Sequence, residues 1–217
     1  PLEEEQIQLF FSDIEPLATS KVLVLLENET LSIGERVLAQ ELQLTVRGQD
    51  KIGIIGPNGV GKSTLLGKLQ QLLSDKSEIS LGFMPQDYQE TLQLDLSPVE
   101  FLSQTGHKEE LQKIQSFLAS LNFSYPEMHH QIRSLSGGQQ GKLLLLNLVL
   151  RKPNFLILDE PTRNFSPTSQ PEIRKLFATY PGGLITVSHD RRFLKEVCRS
   201  IYRLTEHGLE VVDLQDL

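Results

Sequence analysis

Residues 56–63 read GPNGVGKS, with glycines, a lysine and a serine in the spacing G-x-x-x-x-G-K-[ST]. Glycine lets the backbone curl so that successive N–H groups converge on phosphate oxygens, and a helix starting directly behind adds its positive N-terminal end. In that geometry Lys62 reaches the β- and γ-phosphates and the Ser63 hydroxyl ligates Mg2+, while Gly56, Pro57, Asn58, Gly59, Val60, Gly61 and Thr64 complete the cradle. At average glycine usage a chance turn of this form occurs in roughly one chain in a hundred of this length. The context the motif requires is also present. KIGII at 51–55 reads as a short buried strand, and Leu65, Leu66, Leu69, Leu72 and Leu73 fall on one side of a helix from about Lys62 to Leu73.

FLILDE at 155–160 is an apolar run ending in two acids. It sets Asp159 at the carboxyl end of a buried strand, where the ligand crevice of an open parallel sheet lies. There Asp159 can hold Mg2+, commonly through water, and Glu160 can polarise an attacking water. Alone, such a strand would be read as ending in two solvated acids; the upstream cradle favours metal and base. At 136–139, Ser136, Gly137, Gly138 and Gln139 stand at a helix start. A serine and two glycines there make either a plain helix cap or a second phosphate site, one that needs its phosphate brought from elsewhere. His107, His129, His130 and His207 lack ligand spacing with any carboxylate or cysteine cluster and read as surface residues. Cys198 reads as inert packing on an apolar helix face.

The elements that must position these residues follow from periodicity. Short apolar stretches at 7–11, 22–27 and 37–46, separated by turn signals at Asn28-Glu-Thr and Ile33-Gly-Glu, predict a β-rich antiparallel region. After the 62–73 helix, ISLGFMP at 79–85 predicts a strand. Residues 98–121 predict a helix, with apolar positions mostly three and four apart. Further on, 136–150 predicts a helix, 155–159 a buried strand, 170–180 a helix, 184–188 a strand and 191–198 a helix. A hairpin from IYRL at 201–204 and LEVV at 209–212 closes the chain. Buried strands alternating with helices predict an α/β fold with a parallel sheet, the antiparallel part lying beside it.

Composition fits one folding unit of 217 residues, 39% hydrophobic and 23% charged. The densest apolar run, 143–150, is far shorter than the ~20 residues that span a bilayer, and no transmembrane segment is expected. A net charge of −7 speaks against a surface that binds nucleic acid mainly through phosphate neutralisation. A single cysteine excludes an internal disulfide and a zinc cluster. The acidic opening Pro1-Leu-Glu-Glu-Glu does not resemble a signal peptide, and a cytoplasmic location is expected. The chain starts without methionine and reads as a piece of a longer protein.

LSGGQ at 135–139, downstream of the phosphate cradle and shortly before the Asp159 strand, resembles the signature motif of ATP-binding-cassette (ABC) ATPases. The resemblance runs from about Val22 to Val212. It implies one ABC ATP-binding domain over 1–217: a P-loop NTPase core with a parallel sheet, an antiparallel β subdomain, and a small helical subdomain at about 87–150. It also implies ATP and Mg2+ as cofactors, and ATP hydrolysis in a sandwich closed by a second ABC domain. Gln86 matches the Q-loop glutamine that contacts Mg2+ and the attacking water, and His189 the switch histidine that orients the nucleophile. Together these give Glu160, His189 and Gln86 as catalytic residues and Ser63, Gln86 and Asp159 as metal positions. Ser136, Gly137, Gly138 and Gln139 close over the nucleotide of the facing domain.

Within the family the chain looks most like ABC-F proteins, tandem-domain ATPases that act on ribosomes. The likeness rests on VSHDRRFL at 187–194, on DEPT at 159–162 followed by YPGGLITVSHD at 180–190, and on the compact stretch between Gln86 and Leu135. The implied partners are a second ABC domain, in the same chain or as a homodimer, and the ribosome for the full-length protein, in translation control or antibiotic protection. The alternative is the ATP-binding subunit of a membrane transporter. The chain departs from the pattern at Ser166, which stands where the D-loop aspartate is usual, and at Ile33, which stands where an aromatic residue often stacks on adenine. Arg163, Asn164 and Phe165 also differ.

Overall fold

The computed structural model describes residues 13–217, so the apolar stretch at 7–11 lies outside the described residues. In chain order these form β1 (Val22–Ile33), β2 (Arg36–Arg47), β3 (Lys51–Ile55), α1 (Lys62–Ser74), β4 (Leu81–Met84), α2 (Pro98–Leu102) and α3 (Lys108–Ser120). There follow α4 (Tyr125–His129), α5 (Gly137–Leu150), β5 (Phe155–Asp159), α6 (Gln170–Thr179), β6 (Gly183–Val187), α7 (Arg191–Val197), β7 (Ser200–Thr205) and β8 (Gly208–Val212). Strands β3 to β8 make a six-stranded sheet in the order β4-β5-β6-β3-β7-β8, parallel except for the β7-β8 pair. Strands β1 and β2 pair antiparallel as a separate sheet. No helix among the described residues is long and apolar enough to cross a membrane.

Alternation along the central strands divides the core. Phe155 and Ile157 of β5 with Ile185 and Val187 of β6 face one side, where they pack with Leu65, Leu66, Leu69 and Leu73 of α1 and the inner face of the β1-β2 ribbon. Leu156, Leu158 and Leu184 face the other side and pack with leucines of α5 and with Leu176, Phe177 and Phe193 of α6 and α7. Helix α1 is therefore held between sheet and ribbon. Each fully buried leucine contributes about 1.5–3 kcal/mol, so this stripe fixes where the phosphate cradle at the head of α1 stands.

Three expectations are corrected. Asn28 is no turn: β1 runs on to Ile33, and the hairpin reverses only at Gly34 (φ 58) and Glu35. Asn28 (φ 49) lies instead at a bulge, with Glu27 and Asn28 opposing Gln43 between the pairs Leu26↔Leu44 and Glu29↔Leu42. Glu41 (φ 58) marks a compensating bulge in β2, so the ribbon bends without losing its inward face.

The span 98–121 is not one helix but α2 and α3, broken at 103–107. Gly106 takes φ +72, and the Glu110 carboxylate accepts from the amides of Gln104 (3.0 Å), Thr105 (3.0 Å) and Gly106 (3.2 Å) and from Ser103 Oγ (2.7 Å). These donors, the Ser103 hydroxyl foremost, hold its pKa down to about 2. Apolar spacing runs through the break, so periodicity could not locate it. Helix α4, opened by a capping box between Ser124 and Glu127, was not read in the sequence. Cys198 caps α7 rather than riding on its face. It is buried beside Leu194 and Ile201, and burial pushes its thiol up to about 12.

The C-terminus of α6 is closed by a buried cation. Lys51 Nζ donates to the carbonyls of Phe177 (3.1 Å), Ala178 (3.0 Å) and Tyr180 (2.7 Å), while burial and then the Arg199 charge push its pKa to about 8 from 10.5. Between those values the unfolded chain holds the proton that the folded one has released, so this group makes stability rise with pH across that window. Lys51→Met removes the donor that the carbonyls of Phe177, Ala178 and Tyr180 share. We expect it to lower unfolding free energy at pH 7 by about 3 kcal/mol, measured by urea titration, and to lose the alkaline rise.

Candidate nucleotide site

The parallel register decides which side chains meet. Ile54 pairs with Val187 and Asp159 also pairs with Val187, so the C-terminal ends of β3, β5 and β6 align at one sheet edge. The loops leaving that edge carry the glycine-rich segment, the two acids, and Ser188-His189-Asp190. They surround a cleft of about 870 Å³.

The glycine-rich loop is built from left-handed backbone. Gly59 takes φ +84 and Gly61 φ +112, values an L side chain rarely adopts. A Cβ on Gly59 would meet nothing within 4 Å, so the loop crest is open, whereas one on Gly61 would press on Leu38 at 3.0 Å. Lys62 Nζ donates to the carbonyls of Gly56 and Pro57, and Pro57 O also accepts from Val60 N. Gly56, Pro57 and Val60 thus shape the loop, while Asn58, Gly59, Gly61, Lys62, Ser63 and Thr64 face the cleft. Burial lowers the Lys62 pKa, and the charges of Glu160 and Asp159 oppose that shift.

Across the cleft, Ser63, Gln86 and Asp159 line both this space and an adjoining groove of about 310 Å³, so a hydroxyl, an amide and a carboxylate converge on one wall. That all-oxygen donor set suits a hard divalent cation such as Mg2+. Burial, then the neighbouring Glu160 charge, raises the Asp159 pKa, while Lys62 and Arg163 draw it back.

Glu160 adopts φ 49, uncommon for a residue with a side chain. Two contacts hold it there: its N–H donates to Val187 O (2.8 Å), and its Oε2 accepts from His189 N (3.2 Å). His189 Nε2 lies 3.5 Å from Glu160 Oε1 and 3.2 Å from Asn58 Oδ1. Two oxygens thus face Nε2, the arrangement that suits a proton on that nitrogen. Phosphate loop, carboxylate and imidazole are thereby linked.

Ser136, Gly137, Gly138 and Gln139 are not brought to this cleft. They open α5, where Ser136 Oγ accepts from Gln139 N (3.2 Å), Gln139 Oε1 accepts from Ser136 N (3.1 Å), and Gln139 Nε2 bonds Glu127. Around Gly137 and Gly138 an added Cβ would meet nothing within 4 Å, so this helix start is bare. Ile33 is 57% exposed and lines the cleft with Leu38. Ser166 turns its hydroxyl to Thr168 (3.0 Å) and Ser169 (3.1 Å). His107, His129, His130 and His207 are exposed, away from the cleft.

Sequence reasoning missed several lining residues: Arg36, Leu38, Thr162, Arg163 as a cleft residue, Gln170 and Asp190. Asp190 carried a readable signal, an N-cap type before a helical run. Its Oδ1 accepts from Phe193 N (3.1 Å) and its Oδ2 from Thr162 Oγ1 (2.9 Å). Arg36 carried none, since only the two-residue turn brings β2 back beside Ile33.

The chain is 30% identical over 210 residues to Probable ATP-binding protein YheS of Escherichia coli (strain K12), covering 94% of this chain and 33% of that protein. It is 34% identical over 176 residues to Probable ATP-binding protein YbiT of Escherichia coli O157:H7, covering 77% and 33%. With ABC transporter F family member 2 of Arabidopsis thaliana it shares 28% over 217 residues, covering 96% and 32%. The chain thus spans about a third of the length of these curated relatives. Among solved structures, a dimeric post-hydrolysis ATP-binding cassette bound to ADP and Pi superposes with a TM-score of 0.71 at 19% identity, covering 88% of this chain and 98% of that one. That likeness shows the P-loop NTPase fold. Residues 39–163, more than half of the chain, match the family described as ABC transporter, and the chain belongs to the ABC transporter family as one of its ATP-binding-cassette ATPase domains, of a kind similar to the F family.

Proposed function

We propose that this domain binds Mg-ATP in the cleft and hydrolyses it as one half of a head-to-tail pair, whose second ABC domain supplies the signature residues over the nucleotide. The observation that carries this is the separation just described. The cleft gathers Lys62, Ser63, Gln86, Asp159, Glu160 and His189, while Ser136, Gly137 and Gly138 stand bare outside it. The open crest at Gly59 and the left-handed glycines fit a chain of phosphates, and the oxygen donors of Ser63, Gln86 and Asp159 fit the metal.

Each group has work suited to its surroundings. The loop amides and the Lys62 ammonium hold phosphate oxygens, Lys62 exchanging its carbonyl partners for a stronger, charge-assisted bond. When bound, Mg2+ neutralises charge on the β- and γ-phosphate oxygens. Glu160, its side chain only 12% exposed, polarises the attacking water and accepts its proton. His189 donates from Nε2 toward the terminal phosphate and, through its backbone N–H, keeps the Glu160 carboxylate aimed. Closure by a second domain excludes water and completes the site.

For the whole protein we propose an ABC-F-type ribosome-associated factor in the cytoplasm, in translation control or antibiotic protection, with this chain as one of two tandem ATPase domains. Support comes from the F-family relative, from the one-third span of the relatives, and from the VSHDRRFL and DEPT patterns.

Glu160→Gln should lower turnover of the full-length protein by about 100-fold or more while leaving Mg-ATP affinity within about twofold, trapping the closed pair. Unchanged turnover would remove Glu160 as the base. Lys62→Ala should abolish nucleotide binding measured by calorimetry, and tight residual binding contradicts its place in the cradle. In ATP, the Glu160→Gln full-length protein should co-sediment with ribosomes. Its appearance with membranes instead would point to the transporter reading.

A further inference from the structure

The turn after β5 carries a cation that neither the cradle nor the metal wall accounts for. That turn is tightly held. Thr162, 3% exposed, donates to Asp190, and Gln170 Nε2 donates to the carbonyls of Thr162 (3.3 Å) and Phe165 (3.2 Å). The Phe165 ring is buried, in contact range of Gly141. Between these fixed points Arg163 is exposed, its backbone N–H donating to Glu160 O (3.2 Å). It lines the cleft together with Asp159 and Gln86. Among the described residues its guanidinium makes no salt bridge, although its charge is felt at Asp159. A backbone held by hydrogen bonds, an uncommitted planar donor fork and a charge close to Asp159 are what recognition of a terminal phosphate requires.

We propose that Arg163 is a specificity-determining residue that hydrogen-bonds the terminal phosphate of a nucleoside triphosphate held in its own cleft, and so sets the preference for triphosphate over diphosphate. This rests on the reading that the cleft binds ATP. Lys62 is shared along the phosphate chain and serves both nucleotides; Arg163 stands at the end that only the triphosphate reaches. A bidentate contact of this kind is worth about tenfold or more in affinity.

The test is calorimetric titration of the wild-type chain and the Arg163→Ala, Arg163→Lys and Lys62→Ala variants with ATP and with ADP, each with Mg2+ and in EDTA. Arg163→Ala should raise the Kd for ATP about tenfold and leave that for ADP within about twofold, with Arg163→Lys between. The split should persist in EDTA, because the contact is to phosphate. Equal loss for both nucleotides, no loss for either, or a split that vanishes in EDTA would each overturn the proposal, the last by placing Arg163's effect on the metal. Failure of the wild type to bind either nucleotide overturns instead the reading of the cleft itself. The exposed position lets both Arg163 variants fold, which circular dichroism checks.

Discussion

Everything at the cleft depends on the register of three buried parallel strands. Val187 is the common reference: it pairs with Ile54 on one side and with Asp159 on the other, and its carbonyl accepts the N–H of Glu160. That last bond carries the β5-β6 pairing one residue past Asp159 and turns the chain into the left-handed conformation. Such backbone costs about 1–3 kcal/mol and persists only where surrounding contacts over-determine it. Here the contacts are the Val187 carbonyl and the His189 amide, so the strain at Glu160 is tied to the strand that delivers the histidine. A slip of one residue between β5 and β6 would send Asp159 to the other face and break both.

The same register explains why the site is divided. Parallel strands place all their C-terminal loops at one edge, but α5 begins at the far end of a long excursion through α2, α3 and α4. Its start is settled internally by Ser136, Gln139 and Glu127, leaving Gly137 and Gly138 exposed. A helix N-terminus with a satisfied cap and bare glycines has donors to offer, and none of the cleft residues of its own chain meets them. In the proposed pair, binding and closure become separable, because the groups that would hold nucleotide and those that would cover it belong to different domains.

Much of this was legible in the residues. Strands without a polar face, such as FLILD and LITV, announced themselves, as did the glycine-rich loop, because hydrophobic burial and left-handed backbone leave direct marks on residue choice. What escaped was structure made by side chains acting on backbone. Asn28 resembles a turn residue because the left-handed conformation serves turns and bulges alike, and only the partner Gln43 distinguishes them. The break at 103–107 is fixed by Glu110, an acid whose four donors cannot be foreseen from helical spacing. Arg36 and Arg163 enter the cleft through a turn and a held loop, and neither placement is written in local periodicity.

On the proposed reading, one copy of this domain has a complete binding cleft and an incomplete catalytic site. The most direct test of that reading is to measure, on the 217-residue chain, both the stoichiometry of Mg-ATP binding and the specific ATPase activity as a function of protein concentration. One nucleotide bound per chain, with turnover that is negligible when dilute and rises only if copies pair, is the predicted result. Brisk turnover at a specific activity independent of concentration would contradict it, since a lone chain would then contain everything hydrolysis needs.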